Sequence, residues 1–282
     1  MKIGILGLGL IGGSLGLDLR SHGHYVFGVS RRESTCTKAI ALGSVDEASV
    51  NMSLLTAAEV VFICTPIGLI IPTIEQLIAH LPAANVVITD VGSVKTPIVK
   101  AISPLWTNFI GGHPMAGTAE SGIEAAQKHL FVGRPYVLTP TATTPPDALS
   151  CVEKIVNQLG CRVYHCPPEN HDRAVSWISH LPVMVSAALI AACLSENDSQ
   201  VLQLAQNLAS SGFRDTSRVG GGNPELGMMM AQYNQQELLR TLRQYRHHLN
   251  EFIHLIEQEN WTGLEELLKL TQSNRPNFVE DC

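Results

Sequence analysis

The stretch KIGILGLGLIGGSLG, residues 2–16, constrains this chain more than any other. It carries Gly7, Gly9 and Gly12 in the spacing G-x-G-x-x-G, directly after an apolar run of strand length and at the opening of a helical pattern over 10–22. That context turns a weak motif into a strong one. Gly7 permits a tight turn, Gly9 lets the backbone approach a pyrophosphate, and Gly12 lets helix and strand pack closely. A helix that starts there presents free N–H groups to anionic phosphates. The expected contacts to a dinucleotide are Gly7, Gly9, Leu10, Ile11 and Gly12.

The residues that follow repeat the same grammar. Runs rich in β-branched residues at 2–7, 25–30, 59–65 and 85–91 alternate with helical stretches at 10–22, 34–42, 68–80 and 94–105. Such alternation implies a parallel sheet with helices on both faces. FIGGH (109–113), PYVLTP (135–140) and CRVYHC (161–166) read as further strands of it. After HCPPEN (165–170) no strand pattern returns, and 169–272 reads as helix, with a loose tail. The expected architecture is an α/β N-terminal Rossmann-like doubly wound parallel sheet over 1–166, then an all-α C-terminal domain over 167–282. In that second part Leu238, Leu242, Tyr245, Leu249, Phe252 and Ile256 recur at spacings of four and three, an apolar seam for another helix. A homodimer through the helical domain is expected from it. LPVMVSAALIAACL (181–194) is expected to be a helix buried on all sides, too short to span a bilayer.

Composition excludes several partners. Of 282 residues, 45% are hydrophobic and 16% charged, and the formal net charge is −6. This is a globular composition without a basic run, so neither nucleic acid nor a membrane is an expected partner. Seven cysteines lie singly, with no C-x-x-C pair, which fits reduced thiols and a cytoplasmic location.

Against that mildly acidic background GVSRRES (28–34) stands out. A Rossmann turn usually leads, about 20 residues on, to an Asp or Glu that binds the ribose hydroxyls. Here the place holds Ser30, Arg31 and Arg32. Ser30 removes the charge that repels a 2′-phosphate, and guanidinium forks suit one. The expected cofactor is therefore NADP, with Thr35 as a further hydroxyl contact. Cys64, Thr65 and Pro66 end the 59–65 run, where a strand of this half of the sheet passes beside the nicotinamide ribose. Cys64 has no basic neighbour in sequence and reads as a packing residue rather than a nucleophile.

Two loops carry the candidate chemistry: DVGSVK (90–95) and GGHPMAGT (111–118). His113 falls just past a strand end, with its backbone fixed by Pro114, so its imidazole points into the cleft. Ser93 ends the preceding strand and is expected to bond His113 and fix its tautomer. Arg214 and Arg218 stand four apart and share a face if helical.

GLGLIGGSL, DVGSVK, GGHPMAGT, SHLP (179–182) and GFRDTSRVGGGNPELG (212–227) together resemble the prephenate/arogenate dehydrogenases of tyrosine biosynthesis, in order and spacing over nearly the whole chain. The chain most resembles the short, NADP-dependent cyanobacterial members that act on arogenate. The resemblance implies an oxidative decarboxylation of a cyclohexadienyl acid. His113 matches the family's catalytic base, Ser93 its hydrogen-bonding serine and Arg218 its carboxylate-binding arginine. Arg214, His180 and Thr118 are further candidates for substrate contact; His180 is as well read as a core residue, and Arg214 as an ion-pair partner of Asp215 or Asp172. His171 reads as structural, and GGGNPE (220–225) as a loop bordering the pocket. Ala119 stands where some relatives carry an acidic residue. Three alternatives stay open: prephenate as substrate, another two-domain NADP dehydrogenase, or a non-catalytic NADP sensor. The hydroxyacid type of dehydrogenase needs a lysine in its helical part, and none occurs between Lys154 and Lys269.

Overall fold

The computed structural model describes residues 1–81, 85–118 and 120–279; Ala119 and Cys282 lie outside them. The elements run β1 Lys2–Leu6, α1 Leu10–Ser21, β2 Tyr25–Val29, α2 Glu33–Ala41, β3 Glu47–Ser49, β4 Val60–Ile63, α3 Ile67–Ile78, β5 Val87–Asp90 and α4 Thr96–Ile102. There follow β6 Phe109–Pro114, β7 Pro135–Thr139, α5 Pro146–Gln158 and β8 Arg162–His165. From Pro168 on the described residues contain helices and turns but no strand: α6 Pro168–Val175, α7 Leu181–Leu194, α8 Ser199–Leu208, α9 Ser211–Ser217, α10 Pro224–Tyr233, α11 Gln235–Glu257 and α12 Trp261–Asn274.

The described strands form one eight-stranded sheet in the order β3-β2-β1-β4-β5-β6-β7-β8. β4 and β5 are buried at every residue, as central strands covered on both faces must be. One apolar layer joins Leu15 and Leu19 of α1 to Val152, Ile155 and Val156 of α5. The other joins Ile70, Ile74 and Leu77 of α3 to Ile98, Val99 and Ile102 of α4. The order reverses between β1 and β4, so a crevice opens at their carboxyl ends.

Two features depart from the expected sheet. β7 runs antiparallel to β6, and β8 pairs parallel with β7, so these last two strands point the other way. The cause lies in the connection: the described residues of 115–134 hold only a short 3₁₀ turn, Ile123–Ala125, and without a crossover helix the chain returns antiparallel. β3 was not expected. Its three residues, Glu-Ala-Ser, are too few and too polar to show alternation.

α7 is also not buried on all sides. Only Leu181 and Ser186 of its 14 residues are buried, and Leu194 is 61% exposed. A helix apolar all round needs cover, and this chain supplies little beyond α9 and the 3₁₀ turn Arg218–Gly221. α6, a π-helical turn over Ser176–His180 and α7 form one continuous stretch of 27 residues, apolar enough by length and composition to cross a membrane. Its first half, however, is pinned to α4 through Asp172. The apolar half alone extends about 21 Å, short of the roughly 30 Å of a hydrocarbon core.

By packing, the chain falls into two compact units, Met1–Gln235 and Gln236–Cys282. Helices α6–α10 thus pack as one body with the sheet, although strands stop at β8. Of the expected seam of α11, Leu238 is buried, Leu242 and Phe252 are half-buried, and Tyr245, Leu249 and Ile256 are exposed.

The glycine turn is the tightest point of the fold. Gly7 has φ of +106°, and a Cβ there would lie 2.6 Å from the carbonyl of Cys64; a Cβ on Gly12 would lie 2.0 Å from the oxygen of Gly7. Gly12→Ala must push α1 off β1. We expect it to cost about 1–3 kcal/mol and to abolish dinucleotide binding, read by thermal unfolding and by a binding titration with reduced cofactor.

Candidate active site

A cleft of about 780 Å³ opens at the switch point. One wall is the glycine turn: Gly7, Gly9, Leu10 and Ile11 line it, and Cys64, Thr65 and Pro66 face them from the end of β4. α1 starts after Gly9 with no side chain capping its first turn, so the N–H groups of that turn are left for a ligand. Thr65 Oγ1 is buried and has no partner among the described residues. This cradle fits the pyrophosphate and ribose of a dinucleotide. Gly12 lies behind it as a packing residue. Burial, with Asp90 nearby, pushes the Cys64 thiol up, so it is no thiolate nucleophile.

At the ribose end Ser30 and Arg31 line the cleft. Arg32 and Thr35 do not. Arg32 begins α2, its carbonyl accepting from the N–H of Thr35 at 3.0 Å and of Cys36 at 3.2 Å. Of the two arginines expected at the phosphate, Arg31 lines the cleft and Arg32 is exposed at the start of α2. Among the described lining residues the charged ones are Arg31, Glu120 and Glu225, with His113 beyond them.

His113 stands at the end of β6 and is 8% exposed. Its Nδ1 lies 2.8 Å from Nε2 of His171, whose Nδ1 lies 2.8 Å from Oδ1 of Asp172. The Asp172 carboxylate also accepts from the backbone N–H of Lys95 at 2.7 Å and of Thr96 at 2.8 Å, closing the first turn of α4. Burial alone would raise the Asp172 carboxyl, but these bonds outweigh it and hold it below the usual carboxylate range. Beneath His113, fully buried Lys95 pairs with fully buried Asp90 and donates to the carbonyl of Gly112 at 2.7 Å. Burial first, then His171, Lys95 and His180, hold His113 well below its usual pKa, so it is neutral at neutral pH.

His180 is fully buried; Asn234 donates to its Nδ1 at 3.1 Å and to the Asp172 carbonyl at 2.9 Å. Its proton therefore sits on Nε2, a buried donor with no partner among the described residues. Burial pushes His180 down to about 4 despite the nearby Asp172.

The other expectations meet the structure unevenly. Ser93 lines the cleft, but no hydrogen bond joins it to His113 among the described residues: His171 already holds the Nδ1 of that ring. His171, read as structural, is the residue that touches His113. Arg214 and Arg218 do not share an α-helix, because α9 ends at Ser217 and Arg218 opens a 3₁₀ turn. Both are exposed outside the cleft lining, and Arg214 pairs with Asp215 at 3.2 Å. Thr118 is exposed and accepts the N–H of Glu120 at 3.2 Å. From the GGGNPE loop, Asn223 and Glu225 do border the cleft. Sequence reasoning missed Asp90, Lys95, Asp172 and Asn234 as a connected set. The one signal was an acidic residue directly after a histidine at 171–172.

Fold and cleft are those of a dinucleotide-dependent oxidoreductase with an appended helical part. Comparison with known proteins narrows the class. The nucleotide-binding domain of prephenate dehydrogenase matches residues 15–165, and the dimerization domain of prephenate dehydrogenase matches 167–270. The chain belongs to the prephenate dehydrogenase family. It is 58% identical to the crystal structure of Synechocystis arogenate dehydrogenase, over 99% of this chain and 100% of that one, with a TM-score of 0.90. It is 27% identical to prephenate dehydrogenase from Aquifex aeolicus in complex with hydroxyphenyl propionate and NAD+, over 99% and 98%, with a TM-score of 0.92. Prephenate dehydrogenase of Bacillus subtilis is 29% identical over 96% of this chain and 74% of that protein.

Neutral His113 and His180 make stability depend on pH. The folded state binds fewer protons than the unfolded state below the unfolded histidine pKa of 6.5. Stability is therefore complete above that value and falls as pH drops, by about 1.4 kcal/mol per pH unit for each histidine. Urea unfolding at pH 7.5, 6 and 5 reads this as a falling midpoint, and His180→Gln should flatten the slope.

Proposed function

We propose that this chain is an NADP-dependent arogenate dehydrogenase that converts L-arogenate to L-tyrosine and CO2. The observation that carries the reading is His113: a neutral imidazole at the cleft, with Nδ1 engaged and Nε2 open. The 58% identity to an arogenate dehydrogenase of matching length supports the choice of substrate. Glu120 and Glu225 on the cleft lining offer acceptors to an ammonium group, which arogenate has and prephenate lacks.

His113 is the base. Its Nε2 takes the proton of the substrate 4-hydroxyl as hydride leaves C4 and the ring carboxylate leaves as CO2; the ring becomes a phenolate, and His113 returns the proton to its oxygen to give the phenol. A bound nicotinamide would supply the acceptor for the C4 hydride. Gly7, Gly9, Leu10 and Ile11 would hold the pyrophosphate, Thr65 and Pro66 would border the nicotinamide ribose, and Ser30 with Arg31 would admit the 2′-phosphate. The substrate's carboxylates call for cations; Arg218 is the first candidate and Arg214 the second, with the free Nε2–H of His180 as a neutral donor. Ser93 orders the cleft beside His113. We assign the chain to the cytoplasm and to a homodimer, in keeping with the dimerization domain that its helices match. The uncovered apolar residues of α7, α8 and α11 give such a dimer its surface, among them Leu194, Leu204 and Leu249.

The test is kcat/KM with arogenate or prephenate, each with NADP or NAD. Arogenate with NADP should exceed the other three combinations, and Ser30→Asp combined with Arg31→Ala should shift preference toward NAD. Equal use of prephenate would overturn the substrate choice, and an unchanged cofactor ratio would overturn the role of Ser30 and Arg31.

His113→Asn should lose at least about a hundredfold in kcat while the substrate KM stays within a few-fold. Retained turnover would remove His113 from the role of base.

A further inference from the structure

We propose that Asp172, acting through His171, fixes the tautomer of His113, so that the base is set with its lone pair toward the cleft before substrate arrives. The inference deepens the assignment of His113 as base and rests on it. Its ground is a continuous chain of hydrogen bonds, His113 Nδ1 to His171 Nε2 at 2.8 Å and His171 Nδ1 to Asp172 Oδ1 at 2.8 Å. All three residues are at least nine-tenths buried.

Proton bookkeeping leaves one arrangement of a neutral chain. The ionised carboxylate of Asp172 only accepts, so His171 carries its proton on Nδ1. Its Nε2 then holds a lone pair and accepts from His113 Nδ1–H. That leaves His113 with a lone pair on Nε2, the nitrogen on the cleft side. The other His113 tautomer would set two lone pairs against each other at the same 2.8 Å. The carboxylate cannot turn away, because the N–H groups of Lys95 and Thr96 hold both of its oxygens. The charged and titratable groups around His113 are His171 and Asp172 from α6, His180 from the π-helical turn, and Lys95 with its partner Asp90 from the β5–α4 connection. Burial, His171, Lys95 and His180 all oppose a charge on His113. Once His113 takes the substrate proton, its Nδ1–H bond to His171 becomes charge-assisted and stronger. His171 and Asp172 are positioning residues; neither touches the reacting atoms.

The readout is ¹⁵N NMR of the histidine side chains in the full-length protein at neutral pH, with His113 assigned from the His113→Asn spectrum. In the unmodified protein His113 should show a protonated Nδ1 and an unprotonated Nε2. A protonated Nε2 would overturn the proposal outright. His171→Leu should lower kcat about 10- to 100-fold with KM within threefold, and turn the His113 signals into a mixture of tautomers. His171→Gln, whose amide can accept from His113 and donate to Asp172, should restore most of the turnover and the single tautomer. Unchanged kcat and tautomer in His171→Leu would refute the relay. If His113→Asn itself retained turnover, the base assignment would fall, while the wild-type spectrum would still decide the tautomer.

Discussion

One buried carboxylate organises the site. Asp172 accepts three hydrogen bonds on its side chain, from His171 and from the N–H groups of Lys95 and Thr96, and one on its backbone carbonyl from Asn234. Burying an ion costs several kcal/mol unless it is fully bonded, and here every bond also fixes another element. The two backbone donors belong to the start of α4, so the strand-end loop that carries Ser93 is tied to α6. The histidine bond reaches β6. The Asn234 bond draws in the end of α10 and, through the same side chain, His180. Without that carboxylate two buried N–H groups would lose their acceptor, each at about 1–3 kcal/mol.

Lys95 and Asp90 make a second, deeper ion pair under the same strands. With Asp172 they set the electrostatics of a dry site, and the magnitudes decide which effect prevails. His180 has Asp172 close by and still falls to about 4, so loss of water outweighs the attraction. His113 contacts no carboxylate directly; burial first, then His171, Lys95 and His180, hold it well below its usual value as well. A neutral imidazole at physiological pH is what proton abstraction requires. The fold obtains it by burial rather than by a neighbouring cation alone.

The sequence was most informative where local chemistry dictates structure. Gly7 and Gly12 are required by close approaches of 2.6 and 2.0 Å, and a glycine motif after a strand declares such approaches. The central strands are legible because burial on both faces demands unbroken apolar runs. His113 was found by its place after a strand end. The relay was not legible, because His171 meets His113 across 58 residues and no periodicity encodes that meeting. The reversal of β7 was not legible, because it follows from a connection whose described residues hold only the 3₁₀ turn Ile123–Ala125 where a crossover helix would keep the strands parallel. α7 was misjudged for a different reason. Hydrophobicity reports that a surface is to be covered, not by which chain.

The two ends of the sheet carry a further consequence. β3 is three residues long, and β8 exposes Arg162 and His165 along a strand of only four. Short, charged edge strands are poor templates for pairing with another chain. The sheet is closed to growth at both margins, so a second copy gains little by adding strands to it. The switch-point crevice and its approach thus stay clear of intermolecular β-structure.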